Sequence, residues 1–179
     1  MGNEGLLELM SKILTYPDEH YLEAVATCQQ ELAQICPESA DHASRFSASL
    51  IGQGTEEMQD LYVRTFDLNP VCALEVGWQL FGDTYDRGEF LVTMRQELKR
   101  HGIPESIELP DHLSQLLPLL GKMEPRLAPA FASTCLLPAM KKMLGGLEGK
   151  GNAYEEFLKA ITSAIEATQP HALAEVVHG

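Results

Sequence analysis

Apolar residues return every three or four positions along almost the whole of this chain, and nowhere do they alternate with polar ones. Leu6, Leu7, Leu9, Met10, Ile13 and Leu14 set the pattern, which gathers on one side of a helix and would scatter over both faces of a strand. No β-branched run alternates, and no Asn-Gly or Asp-Gly turn links two such runs. The expectation is an all-α, single-domain globular helical bundle of about eight or nine helices. Nothing repeats with a period of 20 to 50 residues, which excludes a solenoid. With 179 residues and 19.7 kDa, such a chain buries about 70% of its surface on folding and needs neither disulfide nor metal to hold together. Residues 1–170 are read as the domain and 171–179 as a flexible tail.

Prolines, glycines and caps divide the pattern. Asn3 can cap a first helix that stops before Pro17. A second runs from Asp18 to about Ile35, where Pro37 ends it, and a weaker third around Phe46, Leu50 and Ile51 closes at Gly52 and Gly54. Thr55 is placed as the N-cap of a fourth, whose first-turn acids Glu56 and Glu57 favour the helix dipole and whose stripe includes Met58, Leu61, Tyr62, Thr65 and Phe66. Residues 71–81 are apolar on nearly all sides, which predicts a central, buried helix ended by Gly82. Asp83 is expected to cap the next, which runs to Lys99 and Arg100 before Gly102. A loop over 103–110 leads into Leu113, Leu116, Leu117 and Leu120. Two more helices follow at about 126–147, with Pro129 and Pro138 as kinks, and 152–168, joined through the glycine-rich stretch 145–151 as a flexible link.

Charge narrows the function. Lys and Arg number 13 against 26 Asp and Glu, a net −13, which repels phosphate backbones and anionic lipid and argues against nucleic acid as a partner. Residues 1–63 hold eleven acids against Lys12 and Arg45, a one-sided field suited to a basic protein or peptide. The opening residues carry no basic leader, and no run approaches the 18 apolar residues of a membrane span, so a cytoplasmic location without stable membrane insertion is expected. Cys28, Cys36, Cys72 and Cys135 show no C-x-x-C spacing and read as free thiols. The six histidines, His20, His42, His101, His112, His171 and His178, lie singly, so no metal site and no cofactor are expected. Phosphate-loop, G-x-S-x-G and H-E-x-x-H patterns are absent. Asp111 and His112 are adjacent, but neighbours on a helix point apart, and Asp111 after Pro110 reads as a helix cap. The competing reading is a small helical enzyme or nucleotide-responsive switch using Asp83, Asp111 and His112.

Three stretches join helix ends to polar residues: 62–70 with Phe66-Asp67 and Pro70, 78–83 with Trp78, Gln79, Gly82 and Asp83 followed by Arg87-Gly88, and Glu108-Leu109-Pro110-Asp111-His112-Leu113. In that order and at these separations they resemble the nitrate reductase delta subunits, the NarJ branch of the TorD and DmsD family of molybdoenzyme assembly chaperones, over roughly residues 4–168. The resemblance implies an all-helical, non-catalytic cytoplasmic chaperone. Its partner would be the N-terminal segment of a molybdoenzyme catalytic subunit, the nitrate reductase alpha subunit first, held until molybdenum cofactor is inserted and subunits join. It also implies that Asp67, Pro70, Leu74, Gln79, Gly82, Asp83, Arg87, Glu108, Pro110, Asp111 and His112 line or shape the client groove, with Gln79 standing where relatives usually carry His. Asp67 and Asp83, at helix ends, would meet client Arg or Lys. Phe66 and Trp78 would supply an apolar wall or belong to the core, the core being favoured, and Arg87 would pair with Asp83 one turn away. A monomer or a dimer swapped through the 103–110 loop is expected.

Overall fold

Pro37, Gly52, Gly82 and Gly102 interrupt the helices where they interrupt the apolar period. In the computed structural model, which describes residues 2–168, the helices are α1 (Asn3–Ile13), α2 (Tyr21–Ile35), α3 (Pro37–Ser49), α4 (Thr55–Tyr62), α5 (Val76–Phe81), α6 (Tyr85–Arg100), α7 (Leu113–Lys122), α8 (Ala128–Phe131), α9 (Leu137–Leu147) and α10 (Ala153–Thr168). Helices α8 and α9 run on through a π turn, Ala132–Leu136, and a second π turn, Val63–Asp67, extends α4. Among the described residues there is no strand, only an isolated bridge between Glu75 and His112. The all-α bundle is therefore what the chain forms. No helix among these residues is long and apolar enough to cross a membrane. The last domain residues 169–170, the expected tail 171–179, and with it His171 and His178, lie outside the described residues.

The stripes read from the sequence face inward. Leu6, Leu7, Met10 and Ile13 of α1 are buried, as are Leu113, Leu116, Leu117 and Leu120 of α7. These two helices approach closely because Gly121 has no side chain: a Cβ there would stand 3.1 Å from the Cα of Glu4. On the other side α10 lies along α3. There Phe46, Tyr62, Phe66, Tyr154 and Phe157 form one aromatic cluster, with Phe66 and Tyr154 ring centres 4.7 Å apart. Its buried hydroxyls are satisfied: Tyr21 and Tyr154 share a hydrogen bond of 2.8 Å, Tyr21 also donates to the Ile13 carbonyl, and Tyr62 donates to that of Leu14.

Several expectations need correction. Gly2 and Gly54, not Asn3 and Thr55, precede the first turns of α1 and α4, and the Glu57 carboxylate accepts from the Gly54 N–H at 2.7 Å. Residues 71–81 are not one buried helix. Pro70 opens a 3-10 turn, Pro70–Cys72; the chain then bends at Leu74 into an extended Glu75, and only Val76–Phe81 coils again, ending at Gly82 with φ +63°. The long helix expected near 126–147 starts at Ala128 and is interrupted by a π turn just ahead of Pro138. That proline has no N–H to give and would otherwise press on the Thr134 carbonyl. The glycine stretch is only partly a link, because Gly145 and Gly146 belong to α9.

These two neighbours should respond oppositely to the same change. A Cβ on Gly146 would fall 2.7 Å from Cys72 Sγ and 2.7 Å from Val71 Cγ1, whereas one on Gly145 meets nothing within 4 Å. Gly146→Ala is expected to lower the unfolding free energy by about 1–2 kcal/mol, overpacking outweighing the helical gain. Gly145→Ala should raise it by about 0.5–1 kcal/mol. Urea midpoints of the two variants check this, and shifts of the same sign would refute it.

Candidate functional site

The site begins with two backbone hydrogen bonds. Val76 N–H donates to the Asp111 carbonyl and Leu113 N–H to the Leu74 carbonyl, both at 2.8 Å, pinning the residues before α5 to those before α7. Asp111 completes the joint. It is wholly buried, and its Oδ2 accepts from the Gly77 N–H at 3.1 Å and lies 3.6 Å from Arg87 Nε on α6. One carboxylate thus fixes the start of α5 and a side chain of α6 at once. Burial pushes its pKa up, and the Arg87 guanidinium and the N–H groups around it only partly offset that. Neither Asp111 Oδ1 nor Arg87 Nε has a hydrogen-bond partner, so the pair is held by charge more than by ideal geometry.

Above this joint lies a cleft of about 340 Å³. Phe66, Pro70, Leu74 and Trp78 give it apolar walls, and Asp67, Glu75, Arg87 and His112 give it polar ones. Trp78, half-buried, donates from Nε1 to the Pro70 carbonyl at 2.9 Å, and the Arg87 guanidinium carbon stands 5.6 Å from its ring centre. Loss of water raises the carboxyl pKa of Glu75, Asp67 and Glu108. Glu75 and Asp67 push Glu108 up further, and Asp111 and Asp67 do the same to Glu75, with Arg87 acting against them there. Three partly dehydrated acids that repel one another are a place where an incoming cation gains more than it would at the open surface.

His112 closes the floor. Its Nδ1 accepts from the Ser114 N–H at 3.2 Å, which makes it, not Asp111, the N-cap of α7. That bond assigns the ring proton to Nε2, which faces Glu108 Oε2 at 3.8 Å. Burial lowers the imidazole pKa to about 4.

The fold gathers most of the predicted residues, but not around one cavity. Phe66, Asp67, Pro70, Leu74, Trp78, Arg87 and His112 line the cleft. Gln79 and Gly82 line a second, open groove of about 700 Å³, on whose wall Pro70 and Trp78 also stand. Gln79 is mainly an internal tie, its amide donating to the Val71 and Ala73 carbonyls at 3.0 and 2.8 Å. Glu108 and Pro110 border a third hollow of about 650 Å³ beside the end of α6. Asp111 lies beneath the cleft. Asp83 is exposed, lines none of these three hollows, and does not pair with Arg87, which the buried Asp111 attracts more strongly. Phe66 is a core residue, as favoured, while Trp78 is a wall. Asp83, Asp111 and His112 therefore share no cavity among those described. Glu75 was missed, although a single acid inside the apolar run 71–81 was the available signal. Lys142, in the second groove, carried none. Among the described residues no group of three or more His, Cys, Asp or Glu is placed to hold a metal ion.

The same helical fold occurs in a crystal structure of a candidate redox enzyme maturation protein from Archaeoglobus fulgidus. The two superpose with a TM-score of 0.64 over 93% of this chain and 94% of that one, at 23% identity. By sequence the relation is narrower. The chain is 27% identical over 125 residues to the nitrate reductase molybdenum cofactor assembly chaperone NarJ of Escherichia coli K12, and equally to that of Escherichia coli O157:H7. The match takes in 65% of this chain and 51% of each relative, so the chain spans about half the length of the curated relatives it matches. No family model matches. The chain is thus similar in sequence to NarJ assembly chaperones and in fold to a candidate redox enzyme maturation protein.

Asp111→Ala is expected to cost about 3–5 kcal/mol, because it leaves Arg87 facing a buried void without its counter-charge. Adding Arg87→Met should recover part of that loss in chemical denaturation, and no recovery would refute the coupling. For His112, the unfolded chain takes up a proton near pH 6.5 and the fold only near about 4. Stability present above pH 6.5 is therefore lost as pH falls through that window, by about 3 kcal/mol. The raised carboxyls act with the opposite sign but are common to wild type and His112→Gln. Denaturation at pH 7 and 4.5 should show the smaller loss in the variant.

Proposed function

We propose that this chain is a non-catalytic cytoplasmic chaperone that binds the N-terminal segment of a molybdoenzyme catalytic subunit, the respiratory nitrate reductase alpha subunit first. It holds that segment while molybdenum cofactor is inserted and the subunits join. The observation that carries this reading is the cleft itself: apolar walls of Phe66, Leu74 and Trp78 with the carboxylates of Asp67 and Glu75, and Glu108 of the neighbouring hollow close enough to repel them, in a chain of net charge −13. An amphipathic segment with basic residues satisfies both halves, its apolar face against the walls and its cations against the acids. The role for which the Escherichia coli relatives are named, molybdenum cofactor assembly for nitrate reductase, supports the choice of client.

Calorimetric titration with a synthetic peptide of about 15 residues from the alpha-subunit N-terminus, long enough to form a marginal helix, checks the reading. Saturable binding is expected, weakening severalfold for Asp67→Asn or Glu75→Gln and again on raising salt, since the attraction is partly screened. The emission of Trp78, the single tryptophan, should shift on saturation. No saturable heat at low salt would refute the proposal.

A further inference from the structure

The third hollow, of about 650 Å³, shares no wall residue with the cleft, so what it holds is independent of the client reading. Leu98, Ile103, Pro104 and Pro110 give it an apolar lining, and Arg95 and Lys99, one turn apart on α6, stand on one wall. Among the described residues neither cation has an ion pair; Glu97, the acid between them in sequence, is taken by Arg100 at 3.7 Å and His101 at 3.6 Å. Glu105 lines the same hollow and is likewise unpaired among these residues. The loop that forms the other wall carries Ile107 wholly exposed, at 101%, and Leu109 exposed beside it. This loop is tied in place. Ile103 N–H donates to the Leu98 carbonyl at 2.9 Å, His112 N–H to the Leu109 carbonyl at 3.0 Å, and Glu108 N–H to Ser106 Oγ at 3.0 Å across Ile107. A single exposed isoleucine is ordinary. This one is held on the rim of an apolar hollow that it does not fill, with unpaired charges of both signs beside it.

We infer that a second copy of this chain docks on this face, each copy setting its Ile107 into the other's hollow about a two-fold axis. A contact of that kind requires one surface to carry both halves of the fit. Here projection and hollow adjoin: residues 106 and 108 line the hollow and residue 107 points out of it. The charges match themselves too. Glu105 and Glu108 flank Ile107 in the loop, so insertion carries the acids of one copy to Arg95 and Lys99 of the other, and the reverse contact is made at the same time. Because the loop is already tied, little freedom is lost on docking. The patch is one hollow wide, well below the surface of a stable dimer, so the association is weak and reversible. Two chains of net −13 repel at a distance, but at about 0.15 M salt that repulsion is screened beyond about 8 Å while charges in contact still attract. No helix changes hands, in contrast to a swap through 103–110.

Sedimentation of the full chain at about 0.15 M salt, from about 10 µM to about 1 mM, tests this. The mean mass is expected to rise with concentration from that of one chain toward that of two. Ile107→Lys should abolish the rise with unchanged circular dichroism, since that side chain is wholly exposed in the single copy. Lys99→Glu should weaken association about tenfold. Adding Glu105→Lys to it should recover part of the loss, because the reversed charges face each other again. The mass of one chain at every concentration, a dimer that survives Ile107→Lys as a swapped dimer would, or no recovery in the double variant each overturns the inference.

Discussion

Two hydrogen bonds between the residues before α5 and those before α7 decide the geometry of everything around them. Without the pairing of Glu75 with His112, the run 71–81 has the composition of an ordinary buried helix and no reason to break. With it, Glu75 is extended, α5 is short, and Trp78 is turned out to form a wall. The same pairing draws Asp111 under Gly77 and sets His112 at the head of α7, where its ring becomes a cap. A cleft built on so few backbone contacts needs a rigid floor. The α1–α7 packing and the aromatic cluster behind Phe66 supply it.

The electrostatics of the cleft separate long range from short. The net negative charge attracts any basic ligand and selects none. Selection belongs to the carboxyls around the cleft, whose pKa values are raised first by burial and, at Glu75 and Glu108, further by neighbouring acids. Arg87 offsets only Glu75 among them, and only in part, because it is drawn toward Asp111. Arg87 is thus engaged chiefly by Asp111, which leaves the cleft acids able to meet a partner's cation.

Helical class and most element bounds were legible in the sequence because they depend on local periodicity and on Pro and Gly, which act within a few residues. The interruption of the 126–147 helix was legible for that reason at Pro138. What was not legible depends on contacts distant in the chain. Asp111 looks like a cap beside Pro110 until the N–H of Gly77, 34 residues away, is brought against it. Arg87 has Asp83 one turn off and takes Asp111 instead, since a buried counter-ion outweighs an exposed one. Gly146 reads as linker until Cys72 and Val71 press on it. Of the site, the sequence motifs carried the cleft residues into one neighbourhood but not their division among three hollows.

Gly77, Arg87 and Asp111 occupy one small volume: a Cβ on residue 77 would stand 2.7 Å from the Asp111 carboxylate and 2.8 Å from Phe90. A larger residue at 77 displaces the acid, a neutral residue at 111 strands the arginine, and a shortened 87 leaves the acid alone. Single replacements at these positions are thus each penalised in the background of the other two. Across descendants of a common ancestor the trio should be inherited together or exchanged together, an epistatic unit whose members drift little while the surrounding loops diverge.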